Sequence, residues 1–186
     1  MTNTVMKKIY LTLLIFCISN LVFAQTPQLM FYGYIEQGQL DEEVAEKKKK
    51  AKVPPKLKDV NVFVYSGDSI IQSVKARETG FYAALLPKGN VYHVVFEKEG
   101  FFCKSFEIDC RDIEFPSDDA AIKCMTDVSL FPMVEDSDLL NLCKVPYAKA
   151  QFDNQTGNIS WDMAYTDRIK QKFIALAQPY YTATSK

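Results

Sequence analysis

The stretch of sequence that decides the fold spans residues 59–108 and reads DVNVFVYSGDSIIQSVKARETGFYAALLPKGNVYHVVFEKEGFFCKSFEI. Apolar and polar residues alternate through it in several short runs. Alternation with a period of two places apolar side chains on one face of a β-sheet and polar ones on the other. Turn residues cut the stretch at regular intervals, at Ser66-Gly67-Asp68, Thr79-Gly80, Pro87-Lys88-Gly89-Asn90 and Glu99-Gly100. The stretch therefore predicts a small antiparallel β-sandwich.

Neighbouring runs extend the predicted sheets on both sides of this stretch. Residues 29–36 are apolar and aromatic and predict a first strand, in which Gly33 indicates a bulge or a close neighbour. Residues 125–131 predict a last strand, anchored by Val128 and Leu130. A total of about seven strands is enough for two packed sheets. The side chains expected to point inward are Val60, Val62, Val64, Tyr92, Val94, Phe96, Phe102, Phe106 and Ile108.

A charged insertion at residues 38–58 interrupts the pattern within the predicted sandwich, which spans residues 25–131. Residues 40–52 place acids first and bases last, an order that suits a helix dipole, and Pro54 and Pro55 follow. The insertion is interpreted as a short solvated helix or a flexible loop. The alternative is a basic docking patch for an anionic glycan or lipid, although the neighbouring acids cancel much of its field.

A C-terminal extension, residues 132–186, follows the predicted sandwich. Residues 145–153 are strand-like, and residues 154–157 form a turn. Ser160 is typical of a helix N-cap. A helical stripe then predicts a helix over residues 161–176, which packs on the sandwich rather than on a partner, since an exposed stripe promotes aggregation. The members of the stripe are Trp161, Tyr165, Ile169, Phe173 and Leu176.

The first 24 residues have the pattern of a secretory signal. Lys7 and Lys8 precede an apolar run, and small residues flank a cleavage position after Ala24. We therefore expect export to the periplasm or the cell surface, and the alternatives are a membrane anchor or a lipoprotein signal at Cys17. Cleavage leaves 20 of the 22 basic residues against 23 acidic ones, a net charge of −3, which gives no electrostatic argument for nucleic acid as a partner. No transmembrane segment is expected in the mature chain.

Cysteines are the next candidates for chemistry. Cys103, Cys110, Cys124 and Cys143 follow the predicted signal, and an even number in an exported protein permits disulfides. Cys110 ends one predicted strand and Cys124 begins the next, so a bridge between them closes a loop of about 15 residues and contributes about 3 kcal/mol. This pair is the predicted disulfide, Cys103–Cys143 is the weaker alternative, and buried free thiols remain open. The spacing contains no CxxC pair, which argues against zinc.

Catalytic groups are sparse in the sequence. His93 is the single histidine, and its strand pattern places it on the outer face. The chain contains no GxSxG, GxGxxG or phosphate-loop motif. Acidic clusters at Glu135-Asp136 with Asp138 and at Asp118-Asp119 lack the alternating pattern of a calcium loop. We therefore expect no catalytic residue, no metal and no cofactor, although a carboxylate pair for hydrolysis stays open.

Several motifs together resemble carboxypeptidase regulatory-like domains. They begin with the glycine-containing first strand and DVNVFVY at residues 59–65, and continue with ETGFY at residues 78–82, LPKG at residues 86–89 and YxVxFxKxGF at residues 92–101. The resemblance covers residues 29–131 and implies a transthyretin-like, seven-stranded Greek-key sandwich. The motifs after residue 127, including KVPYAK at residues 144–149, look like a group of secreted proteins of gram-negative bacteria that add a strand and a helix. The resemblance implies no catalytic residue.

The sequence thus predicts a non-enzymatic, exported cell-envelope protein that acts as a structural or protein-interaction module. Phe63, Tyr65 and Tyr82 are expected to point outward and to be contact residues, and pairing along a strand edge is another route. The alternative is a glycan- or peptide-binding module of the envelope, in which the same aromatic rings stack on sugars. The expected partner is an envelope protein or a surface glycan.

Overall fold

Two β-sheets packed face to face, with a C-terminal helix, make up the fold in a computed structural model that describes residues 27–38, 54–115 and 121–183. The prediction of a mainly β sandwich is confirmed. The described residues form ten strands rather than seven, and three of the strand pairings are parallel rather than antiparallel. The predicted signal, residues 1–24, lies outside the described residues. None of the helices within the described ranges is both long and apolar enough to span a membrane.

The strands are β1 (Gln28–Gln37), β2 (Asn61–Ser66), β3 (Ser69–Lys75), β4 (Phe81–Pro87), β5 (Val91–Glu97), β6 (Lys104–Asp109), β7 (Ala121–Met125), β8 (Val128–Leu130), β9 (Ala148–Asp153) and β10 (Asn158–Trp161). The helices are α1 (Ser137–Leu142) and α2 (Met163–Ala183). The small sheet has the order β4-β1-β7, and β8 pairs with β1 beyond the end of β7. The large sheet has the order β10-β9-β6-β5-β2-β3.

The predicted inward faces of β2, β5 and β6 are confirmed, because their alternate side chains form the buried core between the sheets. The prediction for β4 is wrong. Tyr82 is 2% exposed and points inward with Ala84 and Leu86, whereas Phe81 and Leu85 point outward. Both faces of β4 carry apolar residues, so its alternation could not choose the inner face; pairing with β1, in which Tyr82 lies opposite Gly33, decides it.

A close neighbour of Gly33, one of the two predicted alternatives, is confirmed. A Cβ atom at position 33 would overlap the carbonyl group of Thr126, which connects β7 to β8. The same carbonyl accepts a hydrogen bond of 2.7 Å from the buried Tyr82 hydroxyl. The Thr126 N–H donates to the Tyr32 carbonyl at 2.8 Å, and the Tyr34 N–H donates to the Asp127 carboxylate at 2.8 Å. The bare backbone of Gly33 therefore makes room for the segment that connects β7 to β8, which both pair with the same edge of β1.

Aromatic rings connect the two sheets across the core. Tyr82 of the small sheet contacts Phe96 of the large sheet edge-on, with ring centroids 4.9 Å apart. Phe31 packs against Tyr82 at 5.8 Å and against Phe106 at 6.1 Å. Such tilted and edge-on pairs add to the free energy gained from burial alone.

The C-terminal extension is integrated into the large sheet. Strand β9 pairs in parallel with β6, and β10 pairs with β9. Ser160, the predicted N-cap, lies in β10, and helix α2 begins at Met163 instead. Asp162 caps it, because its carboxylate accepts the Tyr165 N–H at 2.9 Å. The helix continues to Ala183, beyond the predicted end, and the predicted boundary between sandwich and extension at residue 131 stays a prediction.

The prediction that the helix packs on its own chain is confirmed. Phe173 and Ala177 of α2 are buried in a second, smaller cluster at the end of the sandwich. The other buried members of this cluster are Phe102, Phe131 and Leu139.

The charged insertion is described only at its C-terminal end. Leu57 is buried in the core, and the Lys56 ammonium pairs with the Glu36 carboxylate at 3.1 Å. Residues 39–53 lie outside the described residues, and with them the predicted helix and part of the predicted basic patch, Lys47 to Lys50 and Lys52. The other two lysines of that patch, Lys56 and Lys58, pair with the carboxylates of Glu36 and Glu78.

Substitution Gly33→Ala is expected to lower the free energy of unfolding by about 3 kcal/mol, because the new methyl group meets backbone that cannot move without breaking strand pairing. Urea denaturation followed by circular dichroism measures the change. Gly67→Ala is the matched control, since Gly67 has φ +58° but a methyl group added there would meet no atom within 4 Å. The control should lower the free energy of unfolding by about 1 kcal/mol, because a residue with a side chain is strained in left-handed backbone. Equal losses in the two variants would contradict the proposed role of the close contact.

Candidate functional site

The outer surface of the small sheet is the first candidate site. Phe81 lies opposite Tyr34, and their rings meet edge-on at 5.7 Å. Tyr32 lies between Ala83 and Met125 in register, and Met30 lies between Leu85 and Lys123. Tyr34 is 40% exposed, Leu85 39% and Met125 65%. We call this surface, formed by Tyr32, Tyr34, Phe81, Leu85 and Met125, the aromatic face.

Cationic side chains border the aromatic face. The Lys56 ammonium lies 5.2 Å from the Tyr34 ring centroid, and the Arg77 guanidinium lies 5.3 Å from that of Phe81. Positive charge over an aromatic ring is favourable by about 0.5–1 kcal/mol at an exposed position. The surface thus combines apolar area at its centre with basic groups at its edge.

The edge of β4 beside this surface is covered. The Leu85 N–H donates to the Gln72 side-chain oxygen of β3 at 2.9 Å. An edge donor satisfied in this way does not offer itself to a further strand. Side chains on the face of the sheet, rather than this part of its edge, therefore provide the binding groups.

The outer surface of the large sheet is the second candidate site. Tyr65, His93 and Glu107 lie opposite one another on β2, β5 and β6, and Lys149 of β9 continues the line. The Lys149 ammonium is 2.9 Å from the Glu107 carboxylate, and the His93 imidazole is 3.8 Å from it. We call these four residues the polar row. Phe63 lies beside it, with its ring centroid 6.5 Å from that of Tyr65.

These positions test the predicted contact residues. Phe63 and Tyr65 are half-buried on the outer surface of the large sheet, as expected, and His93 is 42% exposed there. Tyr82 contributes nothing to either outer surface, because it is buried in the core. Sequence reasoning missed Tyr32, Tyr34, Glu107 and Lys149 as surface groups; the alternation of β1 was the available signal for the two tyrosines.

A polar groove of about 400 Å³ continues the polar row across β6, β9 and β10. Two of its three carboxylates, Glu107 and Asp109, are bound to cations, and the third, Asp162, caps α2. The hydrogen bond from the Arg111 guanidinium lowers the pKa of Asp109, and the Glu107 hydrogen bond raises the pKa of Lys149. Asp109 is therefore ionised at neutral pH, unlike the protonated acid that glycoside hydrolysis requires. The groove can accept and donate hydrogen bonds, and Trp161 supplies an aromatic wall.

The acidic cluster near residue 136 has a structural role. The Asp136 carboxylate caps α1 by accepting the Asp138 and Leu139 N–H groups at 2.9 and 2.8 Å. It also accepts a hydrogen bond of 2.7 Å from the Tyr180 hydroxyl of α2. These bonds lower the pKa of Asp136. The other predicted cluster, Asp118-Asp119, lies outside the described residues, and within the described ranges no group of three or more His, Cys, Asp or Glu side chains is arranged to hold a metal ion.

The four cysteines of the described chain are free thiols and lie in two different environments. Cys110 and Cys124 are buried in the main core, and burial raises the pKa of Cys110 to about 12. Cys103 and Cys143 are half-buried at the junction between β6 and α1. A bridge between Cys110 and Cys124 stays a prediction.

Comparison with known proteins does not identify a family. No protein-family model and no curated protein sequence matches the chain. The TIE protein of Bacillus anthracis is similar with a TM-score of 0.37 and 14% identity, over 57% of this chain and 18% of that protein. A 3-chlorocatechol 1,2-dioxygenase from Rhodococcus opacus is similar with a TM-score of 0.36 and 10% identity, over 60% of this chain and 62% of the enzyme.

The backbone protein of the group B streptococcus pilus 2b is similar with a TM-score of 0.32 and 10% identity, over 57% of this chain and 42% of that protein. The chain thus spans less than two thirds of the length of each of these proteins. Similarities of this size say nothing about activity. The function is therefore inferred from the side chains of the two outer surfaces.

Substitution Glu107→Gln is expected to return the pKa of Lys149 towards its ordinary value of 10.5, because the raised pKa arises first from the hydrogen bond to Glu107. A raised lysine pKa contributes stability that is complete at neutral pH and is lost as the pH rises through that pKa. NMR measures the Lys149 pKa from the chemical shift of its side-chain carbon, recorded from about pH 8 to about pH 12. Lys144→Gln, at an exposed lysine outside the polar row, should leave the Lys149 titration unchanged. An identical Lys149 titration in the Glu107→Gln variant would contradict the pairing.

Proposed function

We propose that this chain is an exported, non-enzymatic protein of the cell envelope that binds a partner protein through the aromatic face. The observation that carries the proposal is the exposure of Tyr34, Leu85 and Met125 on one rigid sheet surface. An outer sheet surface facing water is ordinarily polar, so a contiguous apolar area there favours an interaction site. The protein acts as an interaction or structural module, and its sandwich holds the side chains of the face in place.

The chemistry of the aromatic face defines the partner. Tyrosine, phenylalanine and methionine are the residue types enriched at the centres of protein interfaces. Arg77 adds positive charge at the border, where the Lys56 ammonium is paired with Glu36. A complementary partner presents apolar side chains with a carboxylate opposite Arg77. Its association should slow and weaken as salt concentration rises, because exposed charges are screened.

We propose no enzymatic role because the carboxylates of the polar groove are not suited to acid catalysis. Glu107 pairs with Lys149, and Asp109 pairs with Arg111 at 2.6 Å. Both acids are thus engaged by cations, and the third carboxylate of the groove, Asp162, caps α2. The Arg111 hydrogen bond lowers the pKa of Asp109, whereas a general acid at neutral pH needs a raised pKa. The single histidine, His93, is exposed at 42% and has no hydroxyl or thiol nucleophile among its hydrogen-bond partners within the described part of the chain.

Export and family membership belong to the same proposal. The signal pattern of residues 1–24, with cleavage after Ala24, supports passage to the periplasm or cell surface. The resemblance to carboxypeptidase regulatory-like domains agrees with a β-sandwich that serves as a scaffold. Neither feature identifies the partner, which must come from an experiment.

Co-purification from the envelope fraction tests the proposed site. The full chain with a C-terminal affinity tag is compared with the double variant Tyr34→Ser, Met125→Ser. A protein enriched by the native chain should be lost at least about 10-fold with the variant, which corresponds to about 1.4 kcal/mol. The matched control is Tyr65→Ser on the opposite sheet, which should retain the same protein. All variants are first checked for unchanged thermal unfolding, since the substituted side chains lie at the surface.

Deletion of residues 40–52 completes the test. The deletion stops there because Leu57 is buried and Lys56 pairs with Glu36, so residues 54–58 belong to the fold. Binding that survives the deletion and is lost in the Tyr34→Ser, Met125→Ser variant supports the aromatic face. Binding that is lost on deletion and survives in the double variant would overturn it in favour of the insertion.

A second candidate function is glycan binding at the polar row. The observation that favours it is the placement of Tyr65 and Phe63 beside His93, Glu107 and Lys149 on one flat surface. Aromatic rings stack on the apolar faces of sugars, and neighbouring charged groups bind hydroxyls. The groove of about 400 Å³ next to the row is large enough for one or two sugar units.

A glycan array with the purified full chain tests this second function. Binding at the polar row should fall at least about 10-fold in Tyr65→Ala and in Glu107→Gln. The Tyr34→Ser, Met125→Ser variant, which leaves the large sheet untouched, serves as the control and should bind as the native chain does. No glycan bound, or equal loss in the control, would argue against a site at the polar row.

A further inference from the structure

Cys103 and Cys143 are brought together by the tertiary structure from positions 40 residues apart in the sequence. The Cys103 thiol lies 3.7 Å from the Cys143 carbonyl oxygen, and the Cys143 thiol lies 3.5 Å from the Cys103 carbonyl oxygen. Each sulfur therefore lies over the backbone of the other residue.

The segments that carry the two thiols run side by side and are held in place. The Ser105 hydroxyl donates to the Val145 carbonyl at 3.4 Å, and the Tyr147 N–H donates to the Ser105 carbonyl at 2.7 Å. The parallel pairing of β6 and β9 begins directly after these contacts. The approach of the two cysteines is thus the end of a continuous ladder and not an isolated contact between surface loops.

Solvent reaches the pair from one side. Cys103 and Cys143 line an open groove of about 390 Å³ together with Glu97, Met133 and Leu140. On the other side they border the apolar cavity between the sandwich and the two helices, which Phe173 also lines. Cys110 is fully buried and Cys124 is 8% exposed. A thiol oxidant can therefore reach the first pair far more readily than the second.

The two thiols differ in acidity because they lie against each other. The neighbouring Cys103 thiol lowers the pKa of Cys143, and the neighbouring Cys143 thiol raises the pKa of Cys103. A lowered pKa increases the fraction of Cys143 present as thiolate, and the thiolate is the nucleophile in disulfide exchange. Burial raises the pKa values of Cys110 and Cys124, which keeps them as thiols.

We propose that Cys103 and Cys143 form a reversible disulfide that fixes the C-terminal extension to the sandwich. The oxidant is a disulfide, either of a small molecule such as oxidised glutathione or of a thiol oxidoreductase. The inference does not depend on the aromatic face or on the polar row, since neither contributes a residue to the pair.

The reaction proceeds in two exchanges. The Cys143 thiolate attacks one sulfur of the oxidant, forms a mixed disulfide and releases the other sulfur as a thiolate. Cys103 then loses its proton to solvent and attacks the Cys143 sulfur, which releases the second half of the oxidant. The protein loses two protons and two electrons, and the oxidant is reduced to two thiols.

The bridge has a defined structural consequence. It links the residue before β6 to the C-terminal end of α1, and through α1 to the cluster around Phe173. Closing a loop of this length restricts the unfolded chain and so stabilises the native state. The bridged protein should hold α1 and α2 on the sandwich more firmly than the dithiol form.

Peptide mapping of the full chain tests the proposal without any substitution. The protein is equilibrated with oxidised glutathione, alkylated while unfolded, and digested with trypsin and a glutamate-specific protease. Cleavage after Glu135 separates Cys124, on residues 124–135, from Cys143, on residues 136–144. The fragment with Cys103, residues 100–104, should be joined to the fragment with Cys143 and released by dithiothreitol. Alkylation of both residues after oxidation would overturn the proposal.

Thermal unfolding and alkylation rates provide an independent readout. Dithiothreitol should lower the Tm of the oxidised native chain by on the order of 10 °C, and should not change that of the Cys103→Ser, Cys143→Ser double variant. The matched control, Cys110→Ala, should keep the dependence on dithiothreitol. In the reduced native chain, Cys143 should react with iodoacetamide at least about 10-fold faster than Cys110. An equal Tm decrease in the double variant, or equal alkylation rates, would contradict the pairing.

Discussion

The carbonyl of Thr126 rests against the bare backbone of Gly33, and the small sheet depends on that contact. Strands β7 and β8 both pair in parallel with the same edge of β1, so the short segment between them runs close alongside β1. A side chain at position 33 would overlap the Thr126 carbonyl of this segment. The Tyr82 hydroxyl satisfies the Thr126 carbonyl, which would otherwise be a buried acceptor, and this bond ties β4 to the same point.

The orientation of Tyr82 also determines the candidate site. With Tyr82 turned inward, its ring packs against Phe31 and Phe96 and joins the two sheets. Side chains alternate along a strand, so Phe81 must then point outward, where it meets Tyr34. The aromatic face is therefore a consequence of the same register that fills the core. A shift of β4 by one residue would remove both.

The C-terminal extension packs on the sandwich and is part of the same folded unit. Strands β9 and β10 add two members to the large sheet, and the polar groove lies across the boundary between sandwich and extension. Helices α1 and α2 cover the end of the core through Leu139 and Phe173. Asp136 connects the two helices by capping α1 and accepting the Tyr180 hydroxyl. The thiols of Cys103 and Cys143 meet at this junction because the two parts pack together there.

The local sequence pattern was sufficient to predict which face of an element is buried wherever one face was apolar and the other polar. The strands of Val62, Val94 and Phe106 and the helix of Phe173 were predicted on that basis, since burial of the single apolar face leaves one choice. In β4 both faces are apolar, and in the approach to α2 both Ser160 and Asp162 can cap a helix, so the residues alone permitted two answers. The sequence ranked the Cys103–Cys143 pair below Cys110–Cys124, because a parallel contact across 40 residues has no local signal. The sequence by itself determined the sandwich and its main core, whereas register, the outward aromatic residues and the thiol pair were decided by tertiary packing, in which non-local strand contacts select among locally equivalent arrangements.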